Sequence, residues 1–163
     1  MEVNEKIVEE YIKRIKKWFY MTDISFPVAH NYSNIDLLAY DHLNNIYYDM
    51  EIKYRSAYKL TKKHTKVHDD LIYQLIRPER KEAIEKIINN EKNVVKLYVT
   101  TKTHFGTDGF IENFFISEIK KYGYNCIVWY FDDIIPELYE KINEKGRYNT
   151  ELTQTIRLVK KYL

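Results

Sequence analysis

IDLLAYDHLNNIYYDMEIKYR, residues 35–55, reads as a β-hairpin. β-Branched, aromatic and alternating residues run over 35–40 and again over 46–54, and Asn44-Asn45 supplies the positive-φ turn between them. Side chains alternate along a strand, so any hairpin loop of even length puts Asp36 on the face of Glu51, Lys53 and Arg55. With Asn44-Asn45 as a two-residue loop, Asp36 is expected opposite Lys53 and diagonal to Glu51. Leu38 and Tyr40 share that face, so it is not simply a wet one. Two carboxylates and an ammonium then converge. Hard cations such as Mg²⁺ take carboxylate oxygens, and a lysine beside them can position a water or stabilise developing negative charge.

At these residues the chain resembles the PD-(D/E)XK nuclease superfamily, the restriction-endonuclease-like fold. That pattern is an acid after an apolar residue on one strand, then Glu-X-Lys flanked by hydrophobics on the next. Here they are Ile35-Asp36-Leu37-Leu38 and Met50-Glu51-Ile52-Lys53. Ile35 stands where the name calls for proline. The resemblance implies Asp36 and Glu51 as metal ligands together with the Ile52 carbonyl, Lys53 as a catalytic residue near the attacking water, and Mg²⁺ (or Mn²⁺) as cofactor. It also implies an acid on the opening helix; Glu5, at the border of that helix's apolar stripe, is expected to fill the role. Glu9 is the reserve, and Glu10 points nearly opposite. A glutamine on a later helix faces the site in some members, and Gln74 is a weaker candidate of that kind.

The 163 residues suit one domain, 1–163, with a core over about 2–101 and an extension over about 102–163. Only 4 glycines and 3 prolines argue for regular elements and short connections. No apolar run is long enough to span a bilayer, the acidic N-terminus lacks a signal-peptide pattern, and the single Cys126 permits no internal disulfide. An intracellular, cytoplasmic home is expected, with a virus or mobile element as a conceivable source. A net charge of +2 says little about partners, but its distribution does. Residues 52–68 hold Lys53, Arg55, Lys59, Lys62, Lys63 and Lys66 without one acid. Arg55, Lys59, Lys62, Lys63 and Lys66 are the candidate DNA-phosphate contacts.

Apolar residues at three- and four-residue spacing predict a helix over 2–20. A first strand is expected over 23–30, at an edge because Pro27 cannot donate to a ladder. Helix follows over 68–88, broken at Arg77-Pro78, then a strand over 93–101 and a helix over 110–122. A strand over 124–131 and a helix from Ile134, N-capped by Asp132 or Asp133, come next; that helix is expected to stop at Gly146, before a last one over 149–163. The expected class is α/β: an αβββαβ restriction-endonuclease-like core, its mixed central sheet flanked by helices, with a C-terminal strand and helices added. His64 and His68 are spaced as helical zinc ligands can be, but no further ligands support a zinc site.

The expectation is a Mg²⁺-dependent endodeoxyribonuclease that looks most like a Holliday-junction resolvase or a small repair or viral nuclease, with a small restriction or homing endonuclease as the alternative, acting as a homodimer through the tyrosine-rich segment 124–139. The competing class is a non-catalytic DNA-binding or assembly subunit that keeps the fold. A tyrosine-rich interaction module follows if the hairpin is misread.

Overall fold

The first helix stops short of its apolar stripe. The computed structural model describes residues 2–89, 93–143 and 150–163. In it, α1 (Val3–Tyr11) continues as a wide π turn over Ile12–Lys16 and ends at Lys17, whose φ of 56° is left-handed. The chain is already a strand, β1 (Phe19–Val28), where sequence periodicity extends the helix to residue 20. The reason is non-local: Trp18 stacks flat on Tyr48, centroids 4.4 Å apart, and also against Trp129. Helical spacing cannot register a partner thirty residues away.

β1 is followed by β2 (Asn31–Asp41), β3 (Ile46–Ile52), β4 (Val94–Thr100) and β5 (Asn125–Tyr130), which lie side by side in chain order in one mixed sheet. The first three are antiparallel neighbours; β4 and β5 add in parallel to β3. β1 is an edge strand, which suits Pro27. The last third of the chain is more than a peripheral addition, since β5 completes the sheet.

The β2–β3 loop is four residues, 42–45, not two, because Asp41 faces Ile46 across the ladder. The Asp41 carboxylate accepts the backbone N–H groups of Leu43 and Asn44 and the Asn44 amide, which holds the longer turn. The face parity of an even loop survives, but the register moves by two. Leu37 sits opposite Met50, so Asp36 falls at the level of Glu51 rather than Lys53.

α2 (Lys66–Ile76) and α3 (Pro78–Ile88) meet at the expected break. α4 (Lys102–Phe105) is a single short turn, then α5 (Phe110–Lys120), α6 (Phe131–Lys141) and α7 (Glu151–Tyr162) follow. Asp132 and Asp133 lie inside the first turn of α6, which Tyr130 precedes as N-cap; they hold the Lys102 N–H and ammonium instead. Gly146 lies outside the described residues. Among the described residues, no helix is long and apolar enough to cross a membrane.

Helices cover both faces of the sheet. On one, Val8 and Tyr11 of α1, Ile12 of the π turn, and Ile134 and Leu138 of α6 pack on Leu37, Ala39, Met50, Ile52, Leu97 and Val99. On the other, α2 and α5 pack over Tyr98 and Cys126, and α3 over Leu38 and Phe26. A buried apolar core of this extent is the main source of stability, at about 25 cal/mol per Å² removed from water. Cys126 is a small core residue.

Candidate functional site

β2 and β3 part just beyond the Leu37–Met50 pair, and Asp36 occupies the fork. Its Oδ2 accepts the backbone N–H of Ile52 at 2.7 Å, a bond that a strand carbonyl would otherwise make. Strict alternation is lost here. Ile35 packs with Leu38 and Phe26, whereas Leu37 packs on the α1 side. Across from Asp36, between the Thr22–Leu37 and Ile24–Ile35 pairs, Asp23 has a φ of 52°.

Glu51, one strand over, is 3 % exposed and both its oxygens are engaged. Oε1 meets the Lys53 ammonium at 3.1 Å, and Oε2 accepts from Arg80 Nη1 at 2.7 Å. Burial, then the Glu51 charge, pushes the Asp36 carboxyl up to about 7; the Ile52 N–H and Lys53 pull it the other way, and the Glu5 carboxylate adds to the rise. Burial alone would lower the Lys53 pKa, but Glu51 and Asp36 outweigh it and raise it. Lys53 is therefore an ammonium, suited to holding an anion or a water rather than to taking a proton. Asp36, Glu51 and Lys53 thus form one electrostatic cluster.

Glu5 acts on Asp36 through its charge, while its own Oε2 accepts the Glu2 N–H at 3.2 Å. Glu9 takes the Tyr20 hydroxyl at 3.0 Å. Glu10, expected to point away from the packed face, is buried instead: it pairs with Arg14 at 2.6 Å, and Arg14 reaches Thr153 of α7. The C-terminal helix covers a face that helical spacing within α1 alone leaves to solvent. Among the described residues, no three His, Cys, Asp or Glu side chains gather closely enough to form a metal cage.

Three residues that sequence reasoning missed complete the cluster: Asp49, Arg80 and Lys96. Arg80 is 1 % exposed, and each guanidinium nitrogen has an acceptor. Nε and Nη2 donate to Asp49, Nη2 also to the Met50 carbonyl, and Nη1 to Glu51 and the Gln74 carbonyl. Lys96 donates to Asp49 Oδ2 at 2.7 Å. Burial works against an ionised Asp49, but Arg80 and Lys96 outweigh it and hold its carboxyl below the usual range. Gln74 contributes only its main chain; its side chain is exposed. A signal was present: Arg80 lies four and eight residues before Ile84 and Ile88, on the buried stripe of α3. Beside Glu51 across the β3–β4 pairing stands Tyr98, its hydroxyl buried next to that of Thr100.

The segment 53–65 leaves the site as an exposed basic loop, carrying Arg55, Lys59, Lys62 and Lys63, with Lys66 opening α2. Leu60 anchors it in the core, its N–H donating to the His104 carbonyl. The Thr101 hydroxyl bonds the Arg55 carbonyl, and His104 Nδ1 the Tyr58 carbonyl. Lys62 pairs at the surface with Asp108. His64 and His68 stack on one another; His68 Nδ1 accepts the Thr65 N–H, and Thr65 and His68 form the capping box of α2.

Compared with protein-family models, curated proteins and solved structures, the chain has no match. The functional reading therefore rests on the site itself.

Proposed function

We propose that this protein is a Mg²⁺-dependent DNA endonuclease with a restriction-endonuclease-like core. The observation that carries the reading is the Asp36–Glu51 pair: two buried carboxylates at a strand fork, one of them made harder to ionise by burial and the other's charge. A divalent cation is the natural complement of such a pair. The order α1, β1–β3, α2/α3, β4 is in keeping with an αβββαβ core. When bound, Mg²⁺ would supply charge to a phosphodiester and acidify a water. Asp36 and Glu51 would hold it, with the Ile52 carbonyl as a third donor. Lys53 orients the water and the phosphate. Arg55, Lys59, Lys62, Lys63 and Lys66 neutralise neighbouring phosphates. Glu5 adds negative charge from α1.

Cleavage of plasmid and branched DNA with Mg²⁺ or Mn²⁺, against an EDTA control, tests this; no metal-dependent cutting of either substrate refutes it. A Holliday-junction-like or repair substrate and an intracellular setting belong to the same proposal. So does a homodimer, since two strands need two sites. Tyr122, Ile135 and Tyr139 are exposed around β5, the other edge strand, and mark its surface. A monomer at micromolar concentration in light scattering, free or DNA-bound, refutes the dimer.

One observation favours a second reading, a non-catalytic DNA-binding subunit. Both Glu51 oxygens are already paired with cations of the protein, as in a site retired from metal binding. Binding of branched DNA without cleavage under any divalent ion is its signature.

A further inference from the structure

Resting on the metal-site reading above, we infer that Arg80 is a positioning residue that limits the site to a single divalent cation, with one oxygen each from Asp36 and Glu51. The committed atoms carry the argument. Asp36 Oδ2 holds the Ile52 N–H, and Glu51 Oε2 holds Arg80. That leaves Asp36 Oδ1 and Glu51 Oε1.

Oε1 is occupied by Lys53, but the two cations on Glu51 differ in what displacement would cost. The Lys53 side chain is 35 % exposed and has solvent to turn into. Arg80 is 1 % exposed and bound to Asp49, Met50 and Gln74 as well, so it has nowhere to go. Pulling it off Glu51 would strand a buried charge. An incoming cation therefore displaces Lys53 and leaves Arg80 in place. A second ion about 3.5–4 Å from the first would have to draw on Glu51 Oε2. That oxygen is held by a guanidinium that cannot leave, and its positive charge repels a second cation there. Glu5 also has Oε2 committed, to Glu2, and among the described residues no third acid joins the pair in a cage. One Mg²⁺ bound by one or two carboxylates, with water and substrate filling the rest, is the arrangement this donor set allows.

Asp49 belongs to the same device. It anchors the far end of Arg80 and is itself fixed by Lys96, so the guanidinium presents Nη1 to Glu51 at a set position.

The test uses the full chain and Mn²⁺ alone, counting free ion by electron paramagnetic resonance. The expected result is one bound Mn²⁺ per chain that Asp36→Asn abolishes. Arg80→Lys keeps a charge but cannot reach Asp49 and Glu51 together; it is expected to weaken that site by about 10–100-fold, the usual effect of losing a group that orients a ligand. Lys86→Met removes a cation from the exposed face of α3, where Lys86 pairs with Glu82 outside the cluster. It is expected to hold Mn²⁺ affinity within about threefold, since no ligand is reoriented. Two Asp36-dependent ions per chain overturn the inference, as does wild-type affinity in Arg80→Lys. The stoichiometry needs no Arg80 variant, so it decides the matter even if Arg80→Lys fails to fold. Absence of any Asp36-dependent ion in the unmodified chain sinks the metal-site reading, and the inference with it.

Discussion

Replacing Asp36 by Asn is expected to stabilise the metal-free protein at alkaline pH and to do nothing for it in acid. The carboxyl titrates at about 7 in the folded chain against an ordinary 3.8. Its folded-state pKa is raised, so its contribution to stability is fully present below pH 3.8 and is lost as pH climbs through about 7. The span between those values corresponds to about 4 kcal/mol. Roughly half, ~2 kcal/mol, is expected in practice, because the fork relaxes and admits water when the group ionises. For a chain of this length that is ~4–8 °C in Tm. Asn keeps an oxygen for the Ile52 N–H, so the comparison isolates the charge. Thermal melts of both proteins in EDTA across pH 4–8 read the difference, which cancels the titrating groups that do not interact with Asp36. The gap should open between pH 4 and 7 and stay level above. Millimolar Mg²⁺ at pH 8 should then raise the wild-type Tm and leave Asp36→Asn unmoved. A gap independent of pH, or a wild type more stable than the variant at pH 8 in EDTA, would refute the reasoning.

Glu51→Gln and Lys53→Ala should each cut metal-dependent cleavage by at least about 10²-fold, the scale for losing one member of a catalytic unit. Only Glu51→Gln should also weaken Mn²⁺ binding, and full activity in purified Lys53→Ala would remove it from the site. Changing Lys59, Lys62, Lys63 and Lys66 together to Gln should flatten the salt dependence of DNA binding by about 0.9 in log–log slope for each phosphate no longer neutralised; an unchanged slope would make the loop a mere connection. Glu5→Gln should lower cleavage and metal affinity at constant Tm. Glu10→Gln should do the reverse, lowering Tm through its buried pair with Arg14 while leaving metal affinity intact; equal effects of the two on metal affinity would leave α1 without a role at the site.

What could be read from the sequence was local, and what could not was set by partners far along the chain. The break at Pro78, the hairpin, the edge position of Pro27 and the pairing parity of β2 with β3 follow from backbone rules within a few residues. The register did not. Asn44-Asn45 advertises a tight turn, yet Asp41, three residues earlier, satisfies more orphan N–H groups in the longer one. The end of α1 was hidden for another reason: no Gly or Pro marks Lys17, and the aromatic stack that ends the helix comes from β3 and β5. Glu10 failed similarly, because the residue that holds its partner Arg14 lies on α7.

Arg80 is different, since its place on an otherwise apolar stripe was visible and only its meaning was not. An arginine at a core position of α3, a lysine within the apolar run of β4 and an acid at residue 49 of β3 are each anomalies when taken alone. They make sense only as one neutralising cluster. Stability is a weak reason for such a cluster. Replacing a buried ion network with apolar side chains of similar volume is often neutral or stabilising. The network does something an apolar core cannot: it leaves Glu51, beside Asp36, with one oxygen fixed from below and the other facing a lysine that can leave. A carboxylate held that way is prepared for a cation arriving from solvent, and the burial of Asp49, Arg80 and Lys96 beneath it is what keeps it there.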